Sequence, residues 1–323
     1  MNILVTQPVH DEVLTRLRQI GQVDMNPGPS PWTREQIEQR LPQADAMLAF
    51  MTDRVDAALL AHAPRLRVIA CALKGYDNFD LVAIARAGIE LSFVPDLLTE
   101  PTAELAIGLA IAAARHMRAG DEWVRGGHFD GWRPMLYGTG LHGACVAVVG
   151  LGLVGRAILD RLQGFACSRL LGVDAQQHDP RTVASTFDEA LRKADYLFLA
   201  VPLSAQTRGM YDMEAAAASK PGQILINVGR GSVVDEAAVA HALKGGRLGA
   251  YAADVFEMED WHLPERPNAV HPDLLQSPRT ILTPHLGSAV ARVRLAIEHR
   301  AVDNLVASLA GVCPSDALAG LAA

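Results

Sequence analysis

The chain has 323 residues, about twice the size of one domain, so two domains with separate cores are expected. Half of the residues are apolar, 20% are charged and 5% are aromatic, which excludes a disordered chain or a disulfide-stapled miniprotein. The formal charge of -7 comes without a basic stripe, so nucleic acid is not an expected partner.

From the N-terminus, β-rich runs (NILVTQ at 2–7, AMLAF at 46–50, LRVIACAL at 66–73, ELSFV at 90–94) alternate with helix candidates over Asp11–Gln19, Thr33–Leu41 and Phe79–Ala87. Such alternation predicts a parallel sheet with helices on both faces. The start, MNILVTQPVHDEV, lacks a basic stretch followed by an apolar core, and the longest apolar run, Leu105 to Ala114, is too short for a bilayer. A cytoplasmic protein with no membrane partner is expected.

Next, LLTEPTAELAIGLAIAAARHMRAGD predicts one long, almost wholly apolar helix, opened by Thr99 and Pro101 and stopped at Gly120. It should be buried between domains or subunits, and a homodimer is expected. The stretch GGHFDGWRPMLYGTGL (126–141) reads as a loop. Cys71, Cys145, Cys167 and Cys313 are far apart, form no CxxC pair and lie in apolar surroundings, so buried free thiols are expected rather than a metal site.

A second α/β series begins at Cys145, with strands CVAVVG, RLLGVD, YLFLAVP, QILINVG, GAYAADVF and TILTPH, and a last helix (ARVRLAIEHRAVDNLVASLAG) crosses back onto the first domain. Two doubly wound parallel-sheet domains follow: residues 1–98 with 289–323 for substrate, flavodoxin-like, and 99–288 for a dinucleotide, Rossmann-like. In AVVGLGLVGRA, Gly150, Gly152 and Gly155 have the G-x-G-x-x-G spacing directly after a strand and at the start of a helix. The next strand ends in Asp174, where a carboxylate can accept from adenosine ribose hydroxyls. Asp174 is followed by Ala-Gln-Gln, with no adjacent Arg or Lys for a 2′-phosphate, which predicts NAD over NADP. Met51, Lys74, Pro202, Arg230, Asp254 and His285 also stand at or just beyond strand ends, where doubly wound sheets bind ligands, so a single cleft between the domains is expected.

Arg230 in NVGRGSVVDE, Glu259 in AADVFEMEDW and His285 in TPHLGSAV resemble, in order and phrasing, the Arg, Glu and His of the D-isomer-specific 2-hydroxyacid dehydrogenase family. That resemblance covers essentially the whole chain and implies Arg230, Glu259 and His285 as the catalytic set. It also implies that Lys74, Gly150, Gly152, Leu153, Val154, Gly155, Asp174, Ala200, Val201, Pro202, Val228, Gly229, Arg230, Asp254, His285, Gly287 and Ser288 hold NAD. Lys74, Met51, Gly75, Leu98, Ser288 and Arg294, with Trp132 and Tyr137 as lid or packing residues, are implied for substrate.

Within the family, CALKGYDNFD, FVPDLLTEPTAELAIGLA, GWRPMLYGTGL, GRGSVVDEAAV and AADVFEMEDW are similar to the phosphonate (phosphite) dehydrogenases. This chain departs from that group in NVGRG for NPCRG and in a carboxylate strand ending in Asp rather than Glu. The implied reaction is oxidation of phosphite to phosphate with NAD. A 2-hydroxyacid dehydrogenase for a glyoxylate- or hydroxypyruvate-like substrate is the alternative. A silent NAD-sensing module is disfavoured by the intact Arg230, Glu259 and His285.

Overall fold

The computed structural model describes residues 1–318 and divides into two compact units. One contains Met1–Leu98, Trp261–Pro264 and the described residues from Val290 onward; the other contains Thr99–Asp260 and Glu265–Ala289. Residues 319–323, which the expected substrate domain includes, lie outside the described residues.

The first unit carries five parallel strands: β1 (Asn2–Val5), β2 (Gln22–Met25), β3 (Ala46–Ala49), β4 (Val68–Cys71) and β5 (Glu90–Ser92). Their order, β2-β1-β3-β4-β5, is the flavodoxin-like one. β3 and β4 are buried along their whole length because apolar helices cover both faces. The last helix, Ala291–Leu309, packs Ile297, Ala301, Val302 and Leu305 onto one of those faces with Val13 and Leu17.

The second unit has seven parallel strands: β6 (Cys145–Val149), β7 (Arg169–Val173), β8 (Val183–Ala184), β9 (Tyr196–Leu199), β10 (Gln223–Asn227), β11 (Leu248–Ala253) and β12 (Thr280–Leu282). The order β12-β11-β10-β9-β6-β7-β8 contains the Rossmann arrangement, with its switch point between β6 and β9. Among the described residues no helix is long and apolar enough to cross a membrane.

Three expectations are corrected, and two strands are added. The apolar helix spans only Thr99–Ala114, because His116 adopts a left-handed backbone (φ 52°); Gly120 instead lies inside a separate helix, Met117–Arg125, which buries nothing. Thr33 caps a short helix, Arg34–Glu38, and the chain then tightens into a 3-10 turn at Leu41–Gln43, where Pro42 removes a backbone donor. β2 and β8 lie at sheet edges and carry too little apolar signal to stand out in the sequence. Of the four free thiols only Cys71 is buried; Cys145 and Cys167 are half-buried and Cys313 is exposed.

Candidate active site

The glycine loop of the second unit is shaped by three different constraints. Gly150 sits at φ +92°, and a Cβ there would stand 2.7 Å from the Ala200 carbonyl oxygen. A Cβ on Gly155 would stand 1.8 Å from the Gly150 oxygen, so only glycine lets the helix Leu153–Leu162 approach the strand. Gly152, the N-cap of that helix, faces open space and offers no side chain to its first N–H groups. A pyrophosphate fits this combination of bare backbone donors and positive helix end. At the end of β7, Asp174 accepts from Leu151 N (2.8 Å), Gln176 N and Gln177 N (both 2.9 Å), which fixes the carboxylate beside the cradle.

Loops after β10, β11 and β12, which are neighbours in the sheet, bring the catalytic candidates to one edge of the unit. Arg230 is half-buried; Asn227 Nδ2 donates to its carbonyl (2.9 Å), and Arg230 Nη1 donates to Gly229 O (2.8 Å). Gly231, the next residue, would place a Cβ only 1.8 Å from the Phe256 carbonyl carbon, so the Arg230 loop and the Glu257–Glu259 turn are in backbone contact. Ser232 N adds a 2.7 Å bond to Asp260 Oδ2.

His285 Nδ1 lies 2.6 Å from Glu259 Oε2, while Glu259 Oε1 accepts from Phe256 N at 2.8 Å. An ionised carboxylate can only accept, so the His285 proton sits on Nδ1 and Nε2 is left as a base. His285 itself is a left-handed residue (φ 56°), held by Asp254. Asp254 is 2% exposed and its carboxylate accepts from Thr283 Oγ1 (2.6 Å), Leu286 N (2.7 Å) and Gly287 N (2.8 Å). Burial pushes the Asp254 carboxyl above its ordinary pKa, against the pull of those donors and of His285. Ser288 is buried next along this loop.

In the first unit, Met51, Lys74, Gly75 and Leu98 are half-buried and follow β3, β4 and β5. Arg294, on the last helix, donates from Nη1 to Ala72 O (3.3 Å), two residues before Lys74. A second cation therefore stands at the end of β4. Burial lowers the Arg294 pKa, and Glu298 on the next turn opposes that. Glu298 is itself buried and accepts from His10 N (3.0 Å) and His10 Nδ1 (2.8 Å).

Residues 107–287 match the model of the D-isomer specific 2-hydroxyacid dehydrogenase NAD binding domain. The chain belongs to the D-isomer specific 2-hydroxyacid dehydrogenase family. It is 32% identical to a glyoxylate reductase of Pyrococcus furiosus, over 97% of this chain and 93% of that one. Among solved structures, the TT0316 protein of Thermus thermophilus superposes with a TM-score of 0.90 at 32% identity, covering 98% of this chain and all of that one. The NADPH-dependent glyoxylate/hydroxypyruvate reductase of Sinorhizobium meliloti, solved with NADP and malonate, gives 0.85 at 29% identity, covering 98% and 96%. The second unit is thus the family's NAD-binding domain, and this chain is a nicotinamide-dependent dehydrogenase.

Seen within that family, several working parts escape a reading of the sequence. No Arg or Lys follows Asp174 directly, but Arg156, on the first turns of the glycine-loop helix, reaches the loop after it. Gly231 has a sequence signal only as one more glycine, and the His10–Glu298 pair joins residues 288 positions apart. Trp132 and Tyr137 are 82% and 76% exposed, so neither packs into the core of this chain.

Proposed function

We propose that the enzyme oxidises phosphite to phosphate with NAD. The observation that carries this reading is that two cations, Lys74 and Arg294, stand beyond the end of β4 in the first unit. A planar monocarboxylate is satisfied by one Arg and backbone donors, whereas a tetrahedral dianion brings three oxygens and a further charge. The phrases shared with the phosphite dehydrogenases support the same reading.

In this mechanism His285 Nε2 takes a proton from water as the water oxygen bonds to phosphorus, and Glu259 stabilises the resulting imidazolium. NAD, which the glycine loop and Asp174 would hold, would supply the acceptor for the hydride that leaves phosphorus. Arg230 is the cation that the second unit offers to the substrate charge, and Lys74 and Arg294 are those that the first unit offers. Asp174, the glycine loop and Gly287 are assigned to NAD, and the Asp174 carboxylate repels a 2′-phosphate, which favours NAD over NADP.

The second reading, a 2-hydroxyacid dehydrogenase for glyoxylate or hydroxypyruvate, is favoured by the names of two of the relatives above, a glyoxylate reductase and a glyoxylate/hydroxypyruvate reductase. Here His285 would protonate the carbonyl oxygen as hydride arrives, with Arg230 on the carboxylate. NADH formation from phosphite, set against NADH consumption with glyoxylate and hydroxypyruvate, decides between them. Lys74→Ala should raise the KM for phosphite at least about tenfold, the cost of one charge-assisted contact. Turnover of glyoxylate without phosphite oxidation would establish the second reading.

We also propose a homodimer. The helix Met117–Arg125 and the loop after it expose Trp123, Val124, Phe129, Trp132, Leu136 and Tyr137, an apolar surface that a second copy would cover. Light scattering of the purified protein tests this, and a monomer mass at micromolar concentration would exclude it.

A further inference from the structure

Both backbone polar groups of one residue, Leu151, tie the glycine loop to the groups around the loop after β7. Leu151 N donates to Asp174 Oδ2 at 2.8 Å, and on the other side of that residue Leu151 O accepts from Arg156 Nε, also at 2.8 Å. The same guanidinium reaches forward with Nη2 to Gln177 Oε1 and His178 O, each at 3.3 Å. Arg181 closes the frame: it pairs with Asp160 on the glycine-loop helix, binds the buried Asp179 (2.6 Å), and donates to the Arg156 carbonyl (3.4 Å). The Asp174 carboxylate and the Arg156 guanidinium therefore share one small frame on the adenosine side of the cradle. Desolvation acts to raise the Asp174 pKa, but its three backbone donors and the Arg156 charge outweigh that and hold it below its ordinary value.

We propose that Arg156 is a specificity-determining residue for the cofactor: it is the latent acceptor of a 2′-phosphate that Asp174 masks. With Asp174 in place, a 2′-phosphate meets a fixed carboxylate, and the nearby guanidinium is already partly neutralised. Without the carboxylate, the balance reverses. The contacts of Arg156 Nη2 to Gln177 and His178 are long and go to neutral oxygens, so an ionised phosphate would displace them in favour of shorter charge-assisted bonds. The Nε bond to Leu151 O would keep the guanidinium in place during that exchange. This inference does not depend on which anion the enzyme oxidises or reduces.

Equilibrium fluorescence titration of the purified protein with NADPH and NADH, without substrate, tests the proposal. Asp174→Ala should tighten NADPH binding at least about tenfold, the worth of removing one like charge beside a freed Arg. Adding Arg156→Leu should abolish that gain while leaving NADH affinity within about threefold of the single variant; Arg156→Lys should preserve part of the gain, because charge is kept and the planar fork lost. The proposal is overturned if the Asp174→Ala, Arg156→Leu protein binds NADPH as tightly as Asp174→Ala. It is overturned equally if the Leu variant loses NADH and NADPH binding together, which is the signature of a merely structural arginine. Failure of Asp174→Ala alone to tighten NADPH binding would overturn both the masking role and the assignment of Asp174 to the ribose.

Discussion

Glu259 joins two donors with one carboxylate: Oε2 meets His285 Nδ1 at 2.6 Å, and Oε1 accepts from Phe256 N at 2.8 Å. This bidentate arrangement makes Glu259→Gln more than the loss of a charge. The Gln oxygen is required by the Phe256 N–H, which turns the amide NH2 toward His285. Nδ1 must then accept, the ring proton moves to Nε2, and the base is in the wrong tautomer. Turnover should fall about a hundredfold or more, with cofactor affinity within about twofold of the parent. Steady-state kinetics with NADH titration checks this; near-normal kcat would remove Glu259 from the mechanism.

Gly231 is the point where the Arg230 loop touches the Glu257–Glu259 turn, with a hypothetical Cβ 1.8, 2.0 and 2.3 Å from Phe256 C, Phe256 O and Glu257 N. Backbone cannot yield to that overlap as a flexible side chain would. Gly231→Ala should therefore cost about 2–4 kcal/mol by urea denaturation and impair turnover through the displaced Arg230. An unchanged urea midpoint would contradict this packing.

Asp53 is a buried carboxyl beyond β3, with Thr6 Oγ1 and Phe50 N as its donors. Burial, opposed by those two bonds, pushes its pKa from 3.8 up to about 6. The folded state therefore holds a proton that the unfolded state has released between about pH 4 and 6. Stability from this group is full below that window and is lost as pH rises through it, by about 3 kcal/mol in total. Asp53→Asn, whose amide oxygen can accept both bonds, should match the parent near pH 4 and exceed it above pH 6.5. Denaturant midpoints measured at both pH values check the sign, and a difference independent of pH would refute it.

Glu298, one helical turn from the half-buried Arg294, accepts from both N and Nδ1 of His10. Glu298→Ala would remove one charge that favours the Arg294 guanidinium, and the acceptor of His10 N and Nδ1. A loss of about 2–3 kcal/mol in stability is expected, with the KM for the anionic substrate rising several-fold more than kcat falls. Equal kinetics in parent and variant would separate Glu298 from Arg294 function.

Local chemistry wrote most of this protein into its sequence. β1, β3, β4 and the interior strands of the second sheet are continuous apolar runs, legible because a strand buried on both faces needs no alternation. The glycine spacing, the carboxylate one strand later, and Arg230, Glu259 and His285 at strand ends are equally local, since each depends on a turn or strand terminus that neighbouring residues specify. What only the tertiary structure decided lies where distant segments meet. The edge strands β2 and β8 exist because a partner strand completes their hydrogen bonds, not because their few apolar residues demand burial. The break at His116 overrides a helical pattern that continues through it. Arg156 reaches the loop after Asp174, and His10 meets Glu298, because sheet order and crossover helices set which strand ends and helix turns become neighbours, and contacts across such gaps leave no mark of spacing along the chain.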